Sequence, residues 1–312
     1  MPSLCLPPRH ELIQAEALEP PFAGIHVWPV QNRVGESPVW DDQNQVLFWI
    51  DVRAPAVLRL DPATGALTRW LLPEVVGALG LAAKGKVVLA LENRLAILDP
   101  STDELHLWPA IVHEPAHNRL NEGKVSPGGR WFVFGSMDDR ADNKQPTGAL
   151  YRSATDGSML RLHQGLTVAN GIAWSPDAQW IYFSDSYAGL IWRARWNEAL
   201  GEMGTPELFA ASNEESGRPD GALVDSAGNY LSAGVSAACL NSFDPDGVLV
   251  GKRLLPVRAP SMPCLGGRQR QRLFVTSLVR PGWDNSQTLD GCLLEMPAPC
   301  AAWPAVCWNL AS

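Results

Sequence analysis

Several features are scarce in this 312-residue chain, and each scarcity removes a class of protein. Positive charge is the first: 25 Lys and Arg stand against 33 Asp and Glu, a formal net charge of −8. No basic stripe is available to neutralise phosphates, so a nucleic-acid partner is not expected. Long apolar runs are also missing. None approaches the roughly 20 residues of a membrane-spanning helix, and no membrane contact is expected. Residues 1–10 show no basic segment followed by an apolar core, so no secretory leader is read there and a cytoplasmic protein is expected. The six cysteines (Cys5, Cys239, Cys264, Cys292, Cys300, Cys307) include no CxxC pair, which argues against a zinc knot or a disulfide framework. Cys300 and Cys307 could pair only in an oxidising compartment; otherwise they read as free thiols of a C-terminal tail. No Gly-x-Ser-x-Gly elbow occurs, which disfavours a covalent serine route. Long helical patterns are missing as well, because 26 prolines and 27 glycines break the gaps between apolar runs. A doubly wound or barrel α/β fold needs helices of about 10–15 residues in those gaps. Trp196 to Met203 is the one place where a short helical turn is expected.

What is abundant is tryptophan, thirteen of them, most beside short apolar runs. Six runs recur around Leu47, Val87, Phe132, Ile181, Tyr230 and Leu273, at steps of 40, 45, 49, 49 and 43 residues. Turn signals such as Ser126-Pro127-Gly128-Gly129, Ser175-Pro176-Asp177-Ala178 and Asp225-Ser226-Ala227-Gly228 precede most of them. A period in the forties filled by short strands is the signature of a propeller blade. A β-sandwich would explain the strands but not the even spacing. The expected fold is therefore all-β: one six-bladed β-propeller domain over residues 1–312, with four-stranded antiparallel blades. Its ring would close by pairing residues 10–30 with 291–296, leaving 297–312 as a tail.

Polar residues stand at matching places ahead of four of these runs. Glu36, Asn121 and Asn170 each lie 11 residues before their marker, and Asp220 lies 10 before its own. Singly, an Asn at a strand start or an Asp-Gly pair is an ordinary turn former. Equal offset in a radial repeat, however, means equal height on the axis, so the four should converge at one end of the central channel. There Glu36 and Asp220 would repel one another and lose hydration, and a bound cation would remove that cost. Two carboxylates with one or two amide oxygens make a hard site suited to calcium, magnesium or manganese. Zinc or ferrous iron is open too, although no Cys or His is placed to prefer them.

The segments Gly35-Glu36-Ser37-Pro38-Val39-Trp40, Arg119-Leu120-Asn121-Glu122-Gly123-Lys124, Asn170 to Asp177 and Pro219-Asp220-Gly221 resemble those of the gluconolactonase/regucalcin (SMP-30) family of sugar lactonases. The resemblance runs in order from about residue 30 to about residue 280, including Leu265-Gly266-Gly267. It implies a six-bladed propeller holding one divalent cation through Glu36, Asn170 and Asp220. It also implies hydrolysis of a sugar lactone, with Arg119 and Asn121 in the substrate pocket and Asp138 added from the polar stretch that follows. Glu122 and Ser126 depart from the family pattern, which mostly has aspartate at both places.

These parts would support metal-assisted attack of water on an aldonolactone, the cation polarising the carbonyl and Asp220 acting as general base. His113 and His117 have i,i+4 spacing, but Pro115 between them makes a shared helical face doubtful. Two rivals stand beside this reading: a non-catalytic propeller scaffold with a structural cation, and a metal-dependent esterase acting on non-sugar lactones or organophosphates. The partner expected is a small sugar lactone, and the assembly a monomer or weak homodimer.

Overall fold

A computed structural model describes residues 3–111, 114–283, 289–299 and 306–309. Its core strands read as near-continuous apolar runs because each blade is buried on both faces by its neighbours. Val46–Asp51 is buried at all six positions, and Val87–Leu91 at all five. The chain forms six antiparallel sheets set around an axis. Blade one is Gly35–Asp41, Val46–Asp51, Ala56–Asp61 and Ala66–Leu71 from the axis outward; blades two to five repeat that order from Val76, Asn118, Ala169 and Pro219. Blade six takes Pro260–Gly266, Arg272–Ser277 and Leu293–Pro297 from the C-terminal part of the chain and His26–Trp28 from the N-terminal part. Leu293, Leu294 and Glu295 lie opposite Trp28, Val27 and His26, so this antiparallel pair joins the two ends of the ring.

The expected four strands per blade are corrected here: four of the six sheets have five strands. Three of the extra strands come from the N-terminal segment, laid along blade rims. Ser3–Cys5 pairs with Glu104–Ala110 in blade two, Arg9–Leu12 with Ala66–Leu71 in blade one, and Glu16–Ala17 with His26–Trp28 in blade six. Each covers an outer edge that would otherwise present unpaired N–H and C=O groups. They are two to four residues long and exposed throughout, so no apolar alternation marks them in the sequence. The fourth belongs to blade four, where Leu190–Asn197 is long enough to pair with both Glu207–Ala211 and Glu202–Met203. That second pairing also replaces the helical turn expected at Trp196–Met203 with a hairpin. Ala83–Gly85 is the only helical segment among the described residues.

Beyond blade six, Trp308 is fully buried, and its backbone joins Leu81 and Ala83 of blade two. Its ring packs against Phe132 and Trp108. The turn that starts at the buried Ser126 is tied by Glu198, whose carboxylate accepts from Ser126 Oγ (2.7 Å), Gly128 N (3.0 Å) and Trp196 Nε1 (2.7 Å).

One device is common to all six innermost strands. Each slips its register against the second strand: after Glu36, Asn121, Asn170, Pro219 and Pro260, and opposite Gly77 in blade two. A bulge bends its strand and re-aims the side chain beside it. Four of these bulges adjoin or contain the polar residues singled out above.

Candidate active site

Glu36, Asn121, Asn170 and Asp220 are all buried and meet at the axis, with Arg119 beside them. Hydrogen bonds order them in one line. Arg119 Nη1 donates to Asn121 Oδ1 (2.7 Å), Asn121 Nδ2 to Asn170 Oδ1 (2.8 Å), and Asn170 Nδ2 to Asp220 Oδ1 (2.7 Å). Asn121 Nδ2 also donates to the Ala169 carbonyl at 2.9 Å and Asn170 Nδ2 to Ser186 Oγ at 2.8 Å, which fixes each amide plane. Arg119 extends the line outward, its Nε donating to Asp139 Oδ1 at 2.9 Å, and Asp139 in turn accepts from Arg53 at 2.5 Å.

Asp138 is not part of this cluster. Its carboxylate turns into its own loop, accepting from Arg140 Nη2 (2.5 Å) and from the backbone N–H of Arg140 (3.0 Å) and Gln145 (2.7 Å). Those bonds, Arg140's above all, hold it well below the ordinary carboxylate range. The next residue, Asp139, is the one that faces Arg119. Period-two alternation makes such a one-place difference invisible until the strand Trp131–Asp138 is paired. His113 lies outside the described residues. Among the described residues the His117 side chain makes no hydrogen bond to the cluster; its carbonyl receives the Asp139 N–H at 3.0 Å.

A third buried acid, Glu122, sits under the line. Its carboxylate accepts from Gly171 N at 2.6 Å and Ile172 N at 2.7 Å, the two amides of blade four's bulge. The Gly171 carbonyl accepts from Tyr230 Oη of blade five at 2.8 Å. Gly171 has φ of 66°, and a Cβ there would stand 2.3 Å from Tyr230 Oη, so glycine is required. Blades three, four and five thereby clamp the peptide that follows Asn170. The only sequence signal for Glu122 and Tyr230 is their place beside recognised segments.

Burial governs the electrostatics. It raises Glu36 well above the usual range, with repulsion from Asp220 and Glu122 adding to it. It pushes Asp220 up to about 8, helped by Glu122 and opposed by Arg280 and Arg119. Glu122 rises to about 7 for the same first reason, partly offset by Lys124 and the two amides. Such an arrangement suits a hard cation: Glu36 accepts only the Ser37 N–H (3.1 Å) among the described residues and faces a second carboxylate across the axis. The Asn170 amide presents its NH2 edge to Asp220 here, and a half-turn that keeps its shape would present oxygen instead. Among the described residues no group of three or more His, Cys, Asp or Glu is gathered as a metal cluster. The candidate set is two carboxylates and an amide.

A cavity of about 480 Å³ lies farther along the same inner strands and not at this cluster. Trp40, Val125, Trp174, Val224, Met262 and Leu265 make it apolar, and Lys124 is its one charged lining residue. The polar cluster therefore lies toward one end of the channel and this apolar cavity toward the other.

Residues 34–279 match the family model described as SMP-30/Gluconolactonase/LRE-like region. The chain is 34% identical over 248 residues to a 6-deoxy-6-sulfogluconolactonase of Pseudomonas putida, a match covering 78% of this chain and 83% of that protein. It is 30% identical over 245 residues to a pentonolactonase of Haloferax volcanii, covering 78% and 81%. The crystal structure of the calcium-binding protein regucalcin from Agrobacterium tumefaciens superposes with a TM-score of 0.84 at 24% identity, over 90% of this chain and 96% of that one. At that identity the superposition speaks for the fold alone. The line of buried polar residues and the match over most of the propeller lead to one conclusion: the chain belongs to the SMP-30/gluconolactonase/regucalcin family.

Proposed function

We propose that this protein hydrolyses a sugar lactone to its hydroxy acid, with one divalent cation held by Glu36, Asn170 and Asp220. The observation that carries the reading is the pair of buried carboxylates, Glu36 and Asp220, on the axis beside a hydrogen-bonded row of amides. The relatives named above, both lactonases, support the reaction class. When bound, the cation would supply Lewis acidity toward the lactone carbonyl and lower the pKa of a coordinated water. Calcium, magnesium and manganese suit the all-oxygen donors best, with zinc or ferrous iron as alternatives.

The chain's own groups do the rest. Asp220, fixed by Asn170, would take the proton of the attacking water. Asn121 and Ser186 hold the Asn170 amide in plane. Arg119 directs Nη1 inward to Asn121 and the Leu120 carbonyl and Nε to Asp139, while its Nη2 has no protein partner among the described residues. That nitrogen is free to donate to a ring hydroxyl or to the carboxylate formed on opening. Changing Asp220 to Ala should leave the fold intact and abolish turnover in a pH-stat assay over several aldonolactones and added metals. Equal rates in the two proteins would refute the role. A chelator that lowers stability while no lactone or ester is turned over by the native protein would favour the scaffold reading.

A further inference from the structure

The residues at the mouth of the site carry an excess of positive charge in a protein whose net charge is −8. Asp139 is one carboxylate shared by two guanidinium groups, Arg119 at 2.9 Å and Arg53 at 2.5 Å. Lys144 lies against the same group: its ammonium donates to the Asp138 carbonyl at 2.6 Å and has no carboxylate within ion-pair distance among the described residues. The neighbouring Asp138 carboxylate is already taken by Arg140. Burial lowers the Lys144 pKa; Asp139 and Asp138 oppose that, and the repulsion of Arg119 and Arg53 adds to it. On the other side of the axis, Arg280 is the foremost cation acting on Asp220.

Arg53 and Arg119 thus share the Asp139 carboxylate, and among the described residues the Lys144 ammonium is bonded only to a neutral carbonyl, which leaves donors here for a further anion. Their place in the hydrogen-bonded line says where that anion sits. Asp220 and Asn170 mark the reacting end, Asn121 and Arg119 follow, and Asp139 with Arg53 and Lys144 comes last, toward solvent. A lactone whose carbonyl lies at Asp220 and whose ring passes Arg119 would bring its far end to Arg53 and Lys144.

We propose that the substrate is a sugar lactone bearing a second, permanently ionised group at the end remote from the carbonyl, and that Arg53 and Lys144 bind this group. The ionised group is a sulfonate, a phosphate monoester or a carboxylate; all three accept several charge-assisted hydrogen bonds from such donors. Asp139 is then a positioning residue, holding Arg53 and Arg119 at the spacing the substrate requires. This inference rests on the lactonase reading, and the experiment separates the two.

Glucono-1,5-lactone would be compared with its 6-phosphate, its 6-sulfonate and a 6-carboxylate analogue, with spontaneous opening subtracted. The expected result is a kcat/KM at least about tenfold higher for one or more of the charged lactones, carried mainly by KM. The ratio should fall toward one in Arg53→Gln and Lys144→Gln and shrink as salt rises from 0.05 to 0.5 M, on the order of the change in screening length. Equal kcat/KM for neutral and charged lactones would overturn the proposal and leave the lactonase reading standing. Hydrolysis of none of them would sink the lactonase reading instead. In that case calorimetric titration with gluconate and 6-phosphogluconate still decides: tighter binding of the doubly charged acid, lost in Lys144→Gln, supports the anion site, and equal binding rejects it. The rank order among the three charged lactones identifies which acid the site takes.

Discussion

Gly171→Ala puts the clamp between blades three, four and five under direct test. Two separate penalties act at this position. An L-residue held at φ of 66° is in the left-handed region, which costs about 1–2 kcal/mol. The added methyl would also stand 2.3 Å from Tyr230 Oη and 2.6 Å from Ser184 Oγ, and overpacking of that kind costs about 1–3 kcal/mol. Together they predict a loss of roughly 2–5 kcal/mol, hence a fall in Tm of several degrees at about 2–4 °C per kcal/mol. Tyr230→Phe alone removes the hydroxyl that donates to the Gly171 carbonyl, leaving a buried acceptor unpaired at about 1–3 kcal/mol. Since the same hydroxyl is the methyl's nearest obstacle, the double variant should lose less than the sum of the two. Thermal unfolding followed by calorimetry on the four proteins checks all of this. A Gly171→Ala protein within about 0.5 kcal/mol of the parent, or strict additivity in the double variant, would refute the clamp.

Three other outcomes follow from the same structure. Asp220 and Glu122 hold their protons more tightly folded than unfolded, since burial pushes them up to about 8 and about 7. Their stabilisation is complete below about pH 4 and is lost as pH rises through 7 to 8. In a chelating buffer the urea midpoint should therefore drop between pH 5.5 and 8.5, by less when a hard divalent cation is added; a rising midpoint would contradict the assigned direction. Trp308→Ala empties a fully buried site between blades two and three and should cost about 3–5 kcal/mol, read as a lower urea midpoint. An unchanged midpoint would mean that this segment does not dock in solution. Glu198→Ala removes the acceptor of three hydrogen bonds and should destabilise by about 1–3 kcal/mol, whereas Glu198→Gln, able to accept with only one oxygen, should fall between; equal stability of all three proteins would deny the tie.

Much of the architecture was legible in the chain itself. A repeat of short apolar runs, buried on both faces, leaves a radial stack of sheets as the solution that accounts for both the strands and the spacing. The equal offsets of Glu36, Asn121 and Asn170 express a shared height because every blade starts at the axis and repeats one hairpin order. Rim strands were hidden: Ser3–Cys5, Arg9–Leu12 and Glu16–Ala17 bury almost nothing, so only the open edges they cover reveal them. The contacts between Asp139 and Arg119, between Glu122 and the amides of Gly171 and Ile172, and between Tyr230 and the Gly171 carbonyl were hidden too. Local pattern specifies which face of a strand a side chain takes, since alternation and turn chemistry act over a few residues. Which acid meets which cation depends on bulges and on neighbouring blades tens of residues away, and only the closed ring sets those distances.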